Sequence, residues 1–135
     1  MERGKGKILV VDDDVAVCTL IAKFLAKHGH QVIVATNPLH AIGLLDSQPI
    51  QLIITDLMMP QIDGLKFAEQ IREKPRYKDT PIIMVTAYAT DDVVERSMRS
   101  GIALTLPKPI DLDKLLNLVG FALQHSAGPA PASER

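Results

Sequence analysis

Five short apolar runs, each followed by a longer stretch of helical period, leave this chain few folds to adopt. The runs are Ile8–Val11, Val32–Ala35, Leu52–Thr55, Ile82–Thr86 and Ile102–Leu106, all rich in β-branched residues. The first, third and fourth carry no polar alternation, as strands do when a parallel sheet buries both of their faces. Between the runs, Val17, Leu20, Ile21, Phe24 and Leu25 recur at helical spacing, and Gly29 is placed to end that helix as a left-handed cap. Asn37 before Pro38 reads as an N-cap with proline in the first turn, opening a helix to Leu45. A third helix starts at Gly64, runs through Phe67, Ala68 and Ile71, and is ended by Pro75. A fourth, capped by Thr90, carries Val93, Val94 and Met98 and stops at Gly101. Asp111 caps the last, whose apolar face holds Leu112, Leu115, Leu116, Val119 and Leu123. Strands alternating with helices at these spacings imply an α/β doubly wound, five-stranded parallel sheet in a single domain.

Composition narrows the function classes. Fifteen basic against 16 acidic residues give a net charge of −1, without the basic excess of a nucleic-acid module. Apolar residues make up 47% of 135, enough for a core and too many for a disordered chain. Cys18 is the only cysteine, so no intramolecular disulfide forms and a reducing cytoplasm is the expected compartment. The run Ile8–Val11 is shorter than the ~7–15 apolar residues of a signal peptide or the ~18 of a membrane span. The expected domain covers residues 7–125, after a Gly- and Lys-rich lead-in and before a flexible Ala/Pro/Ser/Gly-rich tail or linker at 126–135.

In such sheets ligands bind beyond the carboxyl ends of the strands. The first strand is followed by Asp12, Asp13 and Asp14, the third by Asp56, while the fourth ends in Thr86 and the fifth leads into Lys108 between two prolines. Clustered carboxylates repel unless a cation is shared, and hard oxygen ligands suit Mg2+. A carboxylate can also act as nucleophile and become an acyl phosphate, with an ammonium and a hydroxyl to meet the phosphoryl oxygens. Singly, each residue has a plainer reading: a solvated turn, a β-former, or a helix cap, which Asp14 fits best. Those readings leave the shared edge unexplained.

The stretches Val11-Asp12-Asp13, Asp56-Leu57-Met58-Met59-Pro60-Gln61-Ile62-Asp63-Gly64, Val85-Thr86-Ala87 and Leu106-Pro107-Lys108-Pro109 resemble the receiver domain of two-component response regulators. The resemblance implies a flavodoxin-like fold with strand order 2-1-3-4-5. It implies that Asp56 accepts a phosphoryl group from a sensor histidine kinase, a phosphotransfer protein or a small acyl phosphate. Asp12, Asp13, Asp56 and the Met58 carbonyl would hold Mg2+, Thr86 and Lys108 would contact the phosphoryl oxygens, and the Lys108–Pro109 bond would be cis. Such a protein is a phospho-acceptor module of a phosphorelay, not an enzyme with a turnover substrate, and it needs neither membrane nor direct nucleic-acid contact. One position departs from the family: Thr105 stands where an aromatic residue is usual, three before the lysine.

Rival readings explain less. A haloacid-dehalogenase-type phosphohydrolase would use Asp12 as nucleophile with Asp14, but would idle Asp56 and place its second acidic pair after Lys108, whereas Asp91 and Asp92 precede it. An FMN carrier needs a Ser/Thr- and Gly-rich loop after the first strand, and a dinucleotide site needs Gly-x-Gly-x-x-Gly; neither occurs. A pseudo-receiver that only docks partners would not need a complete acceptor set. His28, His30, His40 and His125 are scattered, and Cys18 reads as a small core residue. Too few residues follow 125 for an output module, so the reading expects a docking regulator, a relay intermediate or a receiver drawn from a longer chain.

Overall fold

The computed structural model describes residues 7–124. Five parallel strands alternate with five α-helices in these residues: β1 Lys7–Val11, α1 Val15–Lys27, β2 Gln31–Ala35, α2 Pro38–Ser47, β3 Leu52–Asp56, α3 Gly64–Arg72, β4 Ile82–Thr86, α4 Asp91–Arg99, β5 Leu104–Pro107 and α5 Leu112–Gln124. The sheet order is β2-β1-β3-β4-β5, the expected flavodoxin-like arrangement. Lys7, expected in the lead-in, opens β1 opposite Gln31. The lead-in before it, His125 and the tail at 126–135 lie outside the described residues.

Two apolar layers sandwich the sheet. Leu9, Val11, Ile53, Ile82 and Met84 face α2 and α3 through Ala41, Leu45, Phe67, Ala68 and Ile71. The alternate residues Ile8, Val10, Ile54, Ile83 and Val85 face α1 and α5 through Cys18, Ile21, Leu25, Leu115 and Val119. The side-chain period of two divides each strand between the layers. It also explains why the unbroken apolar runs are the central strands: β3 and β4 are buried throughout and β1 nearly so, while the edges β2 and β5 are half-exposed.

Helix ends follow the capping chemistry. Asn37, Thr90 and Asp111 accept from the backbone N–H groups of His40, Val93 and Lys114, and Asp63 does the same for Lys66. Gly29 and Gly101 take φ of 93° and 89°, the left-handed region that ends α1 and α4.

Three expectations need correction. Ile102 and Ala103 are not in β5. The Gly101 and Ile102 N–H groups instead return to the carbonyls of Met98 and Ser97 at 3.1 and 2.9 Å, so Ile102 closes the α4 cap and the strand begins at Leu104. Met98, expected on the apolar face of α4, is 65% exposed, and Ser97 is the residue turned inward. Leu20 likewise lies half-exposed on α1. Pro75 does not itself end α3, which stops at Arg72; it opens a single 3-10 turn, Pro75–Tyr77.

Candidate functional site

The sheet order reverses between β1 and β3, so the loops leaving these two strands diverge to opposite faces and open a crevice at the carboxyl edge. Asp12 emerges there directly from β1, 3% exposed, its backbone N–H still bonded to the Ala35 carbonyl at 3.2 Å. Its Oδ1 accepts from the Asp14 N–H at 2.9 Å and its Oδ2 from the Lys108 ammonium at 3.0 Å. Asp13 is exposed beside it. Asp14 is spent as the N-cap of α1, accepting from the Ala16 and Val17 N–H groups.

Asp56 is not a loop residue, as its run suggested, but the last residue of β3, in register with Val85. It is 7% exposed, and its Oδ1 accepts from the Leu57 N–H at 2.8 Å, with Lys108 Nζ at 3.5 Å. One carboxylate oxygen from each of Asp12, Asp13 and Asp56 lies within 4.8 Å of the others. Thr86 follows Val85 at the end of β4, fully buried, its Oγ1 accepting from the Tyr88 N–H at 3.0 Å. The Thr86 carbonyl takes the Lys108 N–H at 2.8 Å, which ties the two strand ends together, and the Lys108–Pro109 bond is cis.

Met58 lies in the loop after Asp56 with its side chain 56% exposed. That loop is closed by the Gly64 N–H bonding the Leu57 carbonyl at 2.7 Å. Here backbone approaches backbone: a Cβ on Gly64 would collide with the Asp56 carbonyl oxygen.

Burial and the charge of Asp12 push the Asp56 carboxyl above the ordinary 3.8, with Lys108 and the Leu57 N–H opposing. For Lys108, burial disfavours the ammonium, but the hydrogen bond and charge of Asp12, joined by Asp56, outweigh it and raise its pKa. The one cation is thus shared between two carboxylates that repel, which is how a site looks when it is shaped for more positive charge. A divalent cation fits this donor set: three hard oxygens converge, and Mg2+ usually takes one or two carboxylates together with other oxygens.

Cys18 has a role that periodicity did not show. Beneath the cluster its thiol donates to the Asp12 carbonyl at 3.2 Å. Burial and the neighbouring Asp12 push it up to about 11. No spacing rule joins a helix residue to the strand end it covers, so only the folded geometry reveals this contact.

Residues 8–120 match the response regulator receiver domain family. Among curated proteins, the chain is 38% identical over 112 residues to a 14.6 kDa protein encoded in the sodA1 3' region of Leptolyngbya boryana, covering 83% of this chain and 86% of that one. It is 34% identical over 119 residues to the transcriptional regulatory protein ZraR of Klebsiella oxytoca, covering 88% of this chain but 26% of ZraR. The response regulator FleR of Pseudomonas aeruginosa is 34% identical over 128 residues, and again the chain spans 26% of its length. Among solved structures, the receiver domain of the Francisella response regulator 1452 superposes with a TM-score of 0.83 at 27% identity, covering 89% of this chain and 98% of that one. The chemotaxis protein CheY4 of Vibrio cholerae gives 0.84 at 26% identity, with coverages of 87% and 98%.

Proposed function

The chain belongs to the response regulator receiver domain family, and from that premise we propose that it is the phospho-acceptor of a two-component relay, with Asp56 as nucleophile. The carrying observation is the convergence of the Asp12, Asp13 and Asp56 carboxylates beside Lys108 at the carboxyl edge of the sheet. An Oδ of Asp56 attacks the phosphorus of a phosphohistidine on a sensor histidine kinase or phosphotransfer protein, or of a small acyl phosphate. The bond from phosphorus to the donor breaks, and the leaving group departs with its electron pair. Asp56 is held for this by its strand and by the Leu57 N–H, which orients one oxygen.

Bound Mg2+ would neutralise charge between the carboxylates and the incoming phosphoryl group. Asp12, Asp13, Asp56 and the Met58 carbonyl would hold it. The Lys108 ammonium would then exchange part of its contact with Asp12 for a phosphoryl oxygen. The Thr86 hydroxyl is used as an acceptor by Tyr88, so its own hydrogen is free to be donated to another oxygen. These two groups meet the charge that spreads over the equatorial oxygens.

Asp14 counts against the hydrolase alternative. The second carboxylate that reading needs is turned back to cap α1. The expected compartment is the cytoplasm, where kinases of this kind present their donors; no helix among the described residues is long and apolar enough to cross a membrane. The signal is passed on by a partner, or by a further segment such as those of the longer relatives.

The test is intact mass after incubation with acetyl phosphate and Mg2+. We expect a gain of about 80 Da, one phosphoryl group, that is lost on mild alkali and absent in Asp56→Ala. A variant that labels like the wild type removes Asp56 from the role.

A further inference from the structure

We infer that the hydroxyls of Ser97 and Thr105 form a latch that seats α4 on the edge strand, and that this latch couples α4 to Thr86. The second half rests on the function proposed above. α4 is built unlike the other helices. α1, α2, α3 and α5 drive aliphatic side chains into the layers, whereas the single fully buried residue of α4 is Ser97. Val93 and Val94 are only half-buried and Met98 faces solvent. What meets the sheet under the helix is therefore a hydroxyl, and it meets another: Ser97 Oγ lies 3.1 Å from Thr105 Oγ1.

The directions of the bonds follow from counting hydrogens. Ser97 has one hydroxyl hydrogen and donates it to the Val94 carbonyl at 2.7 Å. Thr105 is then the donor of the pair. Thr105 lies in β5 opposite Met84, two residues before Thr86 along β4.

The two ends of α4 are held differently. At the C-terminal end, Arg72 donates to the Gly101 carbonyl at 2.6 Å and the Ser100 hydroxyl to Glu69 at 3.2 Å, anchoring that end to α3. At the N-terminal end the connection is a short chain of polar bonds. Thr86 Oγ1 takes the Tyr88 N–H, the Tyr88 carbonyl takes the Thr90 N–H at 2.8 Å, and Thr90 caps α4 at Val93. If the Thr86 hydroxyl swings to a phosphoryl oxygen, the Tyr88 N–H loses its acceptor and this turn must rearrange. The helix can then pivot about its anchored end, and the contact that gives is the weak polar one at Ser97 rather than an aliphatic key.

Amide hydrogen exchange, read by NMR on the full chain, tests both halves. The variants are Thr105→Val, which keeps the shape and deletes the donor, Ser97→Ala, and the pair together, with α3 amides as internal control. Without phosphodonor, each single variant should speed exchange across α4 about tenfold and leave α3 unchanged, and the double variant should do no more than either single, because both break one bond. Thr105→Ser should restore the wild-type rate. Alanine favours helix more than serine, so faster exchange in Ser97→Ala cannot come from propensity. Unchanged α4 exchange in Thr105→Val, or additive effects in the double variant, overturns the latch.

Acetyl phosphate with Mg2+ should bring wild-type α4 exchange up to that of the variants. Labelled protein with unchanged α4 exchange overturns the coupling. A chain that gains no phosphoryl mass overturns the proposed function and with it the coupling, while the comparison without donor still decides the latch.

Discussion

Asp56 is an awkward side chain to ionise, and that is its qualification. Burial and Asp12 raise its pKa, so its charge is tolerated only with help from Lys108, the Leu57 N–H and any cation the cluster admits. Two further residues shape what happens after transfer. Met58 and Tyr88, 56% and 57% exposed, follow the acceptor and Thr86 by two positions. Neither offers a carboxylate or amide to align a water for in-line attack on an acyl phosphate, so dephosphorylation should be slow. Met58→Asn should shorten the lifetime of the labelled protein, roughly tenfold if the amide lowers the barrier by about 1.4 kcal/mol. Decay of isolated, labelled protein in Mg2+ measures this, and unchanged or slower decay contradicts it. Cys18 should behave oppositely to a redox sensor. With its pKa pushed up to about 11 and its side chain buried, it should resist iodoacetamide at pH 8 in the native state and react at an ordinary rate in guanidinium. Rapid native-state alkylation would contradict that.

At the scale of elements, the site depends on where strands stop and loops fold back. Gly64→Ala puts a Cβ against the Asp56 carbonyl and the Leu57 backbone, which have no room to retreat. It should destabilise the fold by about 2 kcal/mol or more, as overpacking does, and slow phosphorylation by displacing the acceptor. Urea unfolding and labelling rate are the measurements; a neutral substitution would mean the loop is looser than this closure implies. Thr90→Ala should cost about 1 kcal/mol through the lost α4 cap.

The element level is also where sequence reading succeeded and where it stopped. Uninterrupted apolar runs identified the central strands because both of their faces are buried, and Asn37, Thr90 and Asp111 announced helix starts because caps are local chemistry. The ends of strands carried Asp12, Asp56, Thr86 and Lys108 to one edge by topology alone. The start of β5 was misplaced because Ile102 is apolar for a different reason, closing the α4 cap. The inward face of α4 was misassigned because hydropathy favours Met98, while a 3.1 Å hydroxyl contact with Thr105 places Ser97 inside. The Cys18 thiol on the Asp12 carbonyl joins two elements, and no one-dimensional pattern records it.

For the whole molecule, the acidic edge is a cost that function imposes on stability. The native Asp56 pKa lies above its ordinary 3.8, so between those two values the native state binds more protons and stability falls as pH rises. The penalty is complete above the native value and absent below 3.8. Asp56→Asn should therefore raise Tm at pH 7 without Mg2+, by a few degrees at about 2–8 °C per kcal/mol, and the gain should vanish near pH 3. Lys108 contributes the other way: its native pKa is raised above 10.5, so its stabilisation is present below that pH and lost as pH climbs through the native value. Added Mg2+ should raise the wild-type Tm, by the equivalent of about 2.7 kcal/mol at a hundredfold excess over Kd, and raise that of Asp56→Asn less. Scanning calorimetry checks both, and a lower Tm for Asp56→Asn at pH 7 would contradict the reading of the cluster as strained. The central claim is narrower and can be met directly. Protein treated with acetyl phosphate, with and without Mg2+, is reduced with borohydride, which converts an aspartyl phosphate to homoserine, and the peptides are sequenced by mass spectrometry. The account requires homoserine at position 56 alone, formed only with the divalent cation; homoserine at position 12, or conversion indifferent to Mg2+, would contradict it.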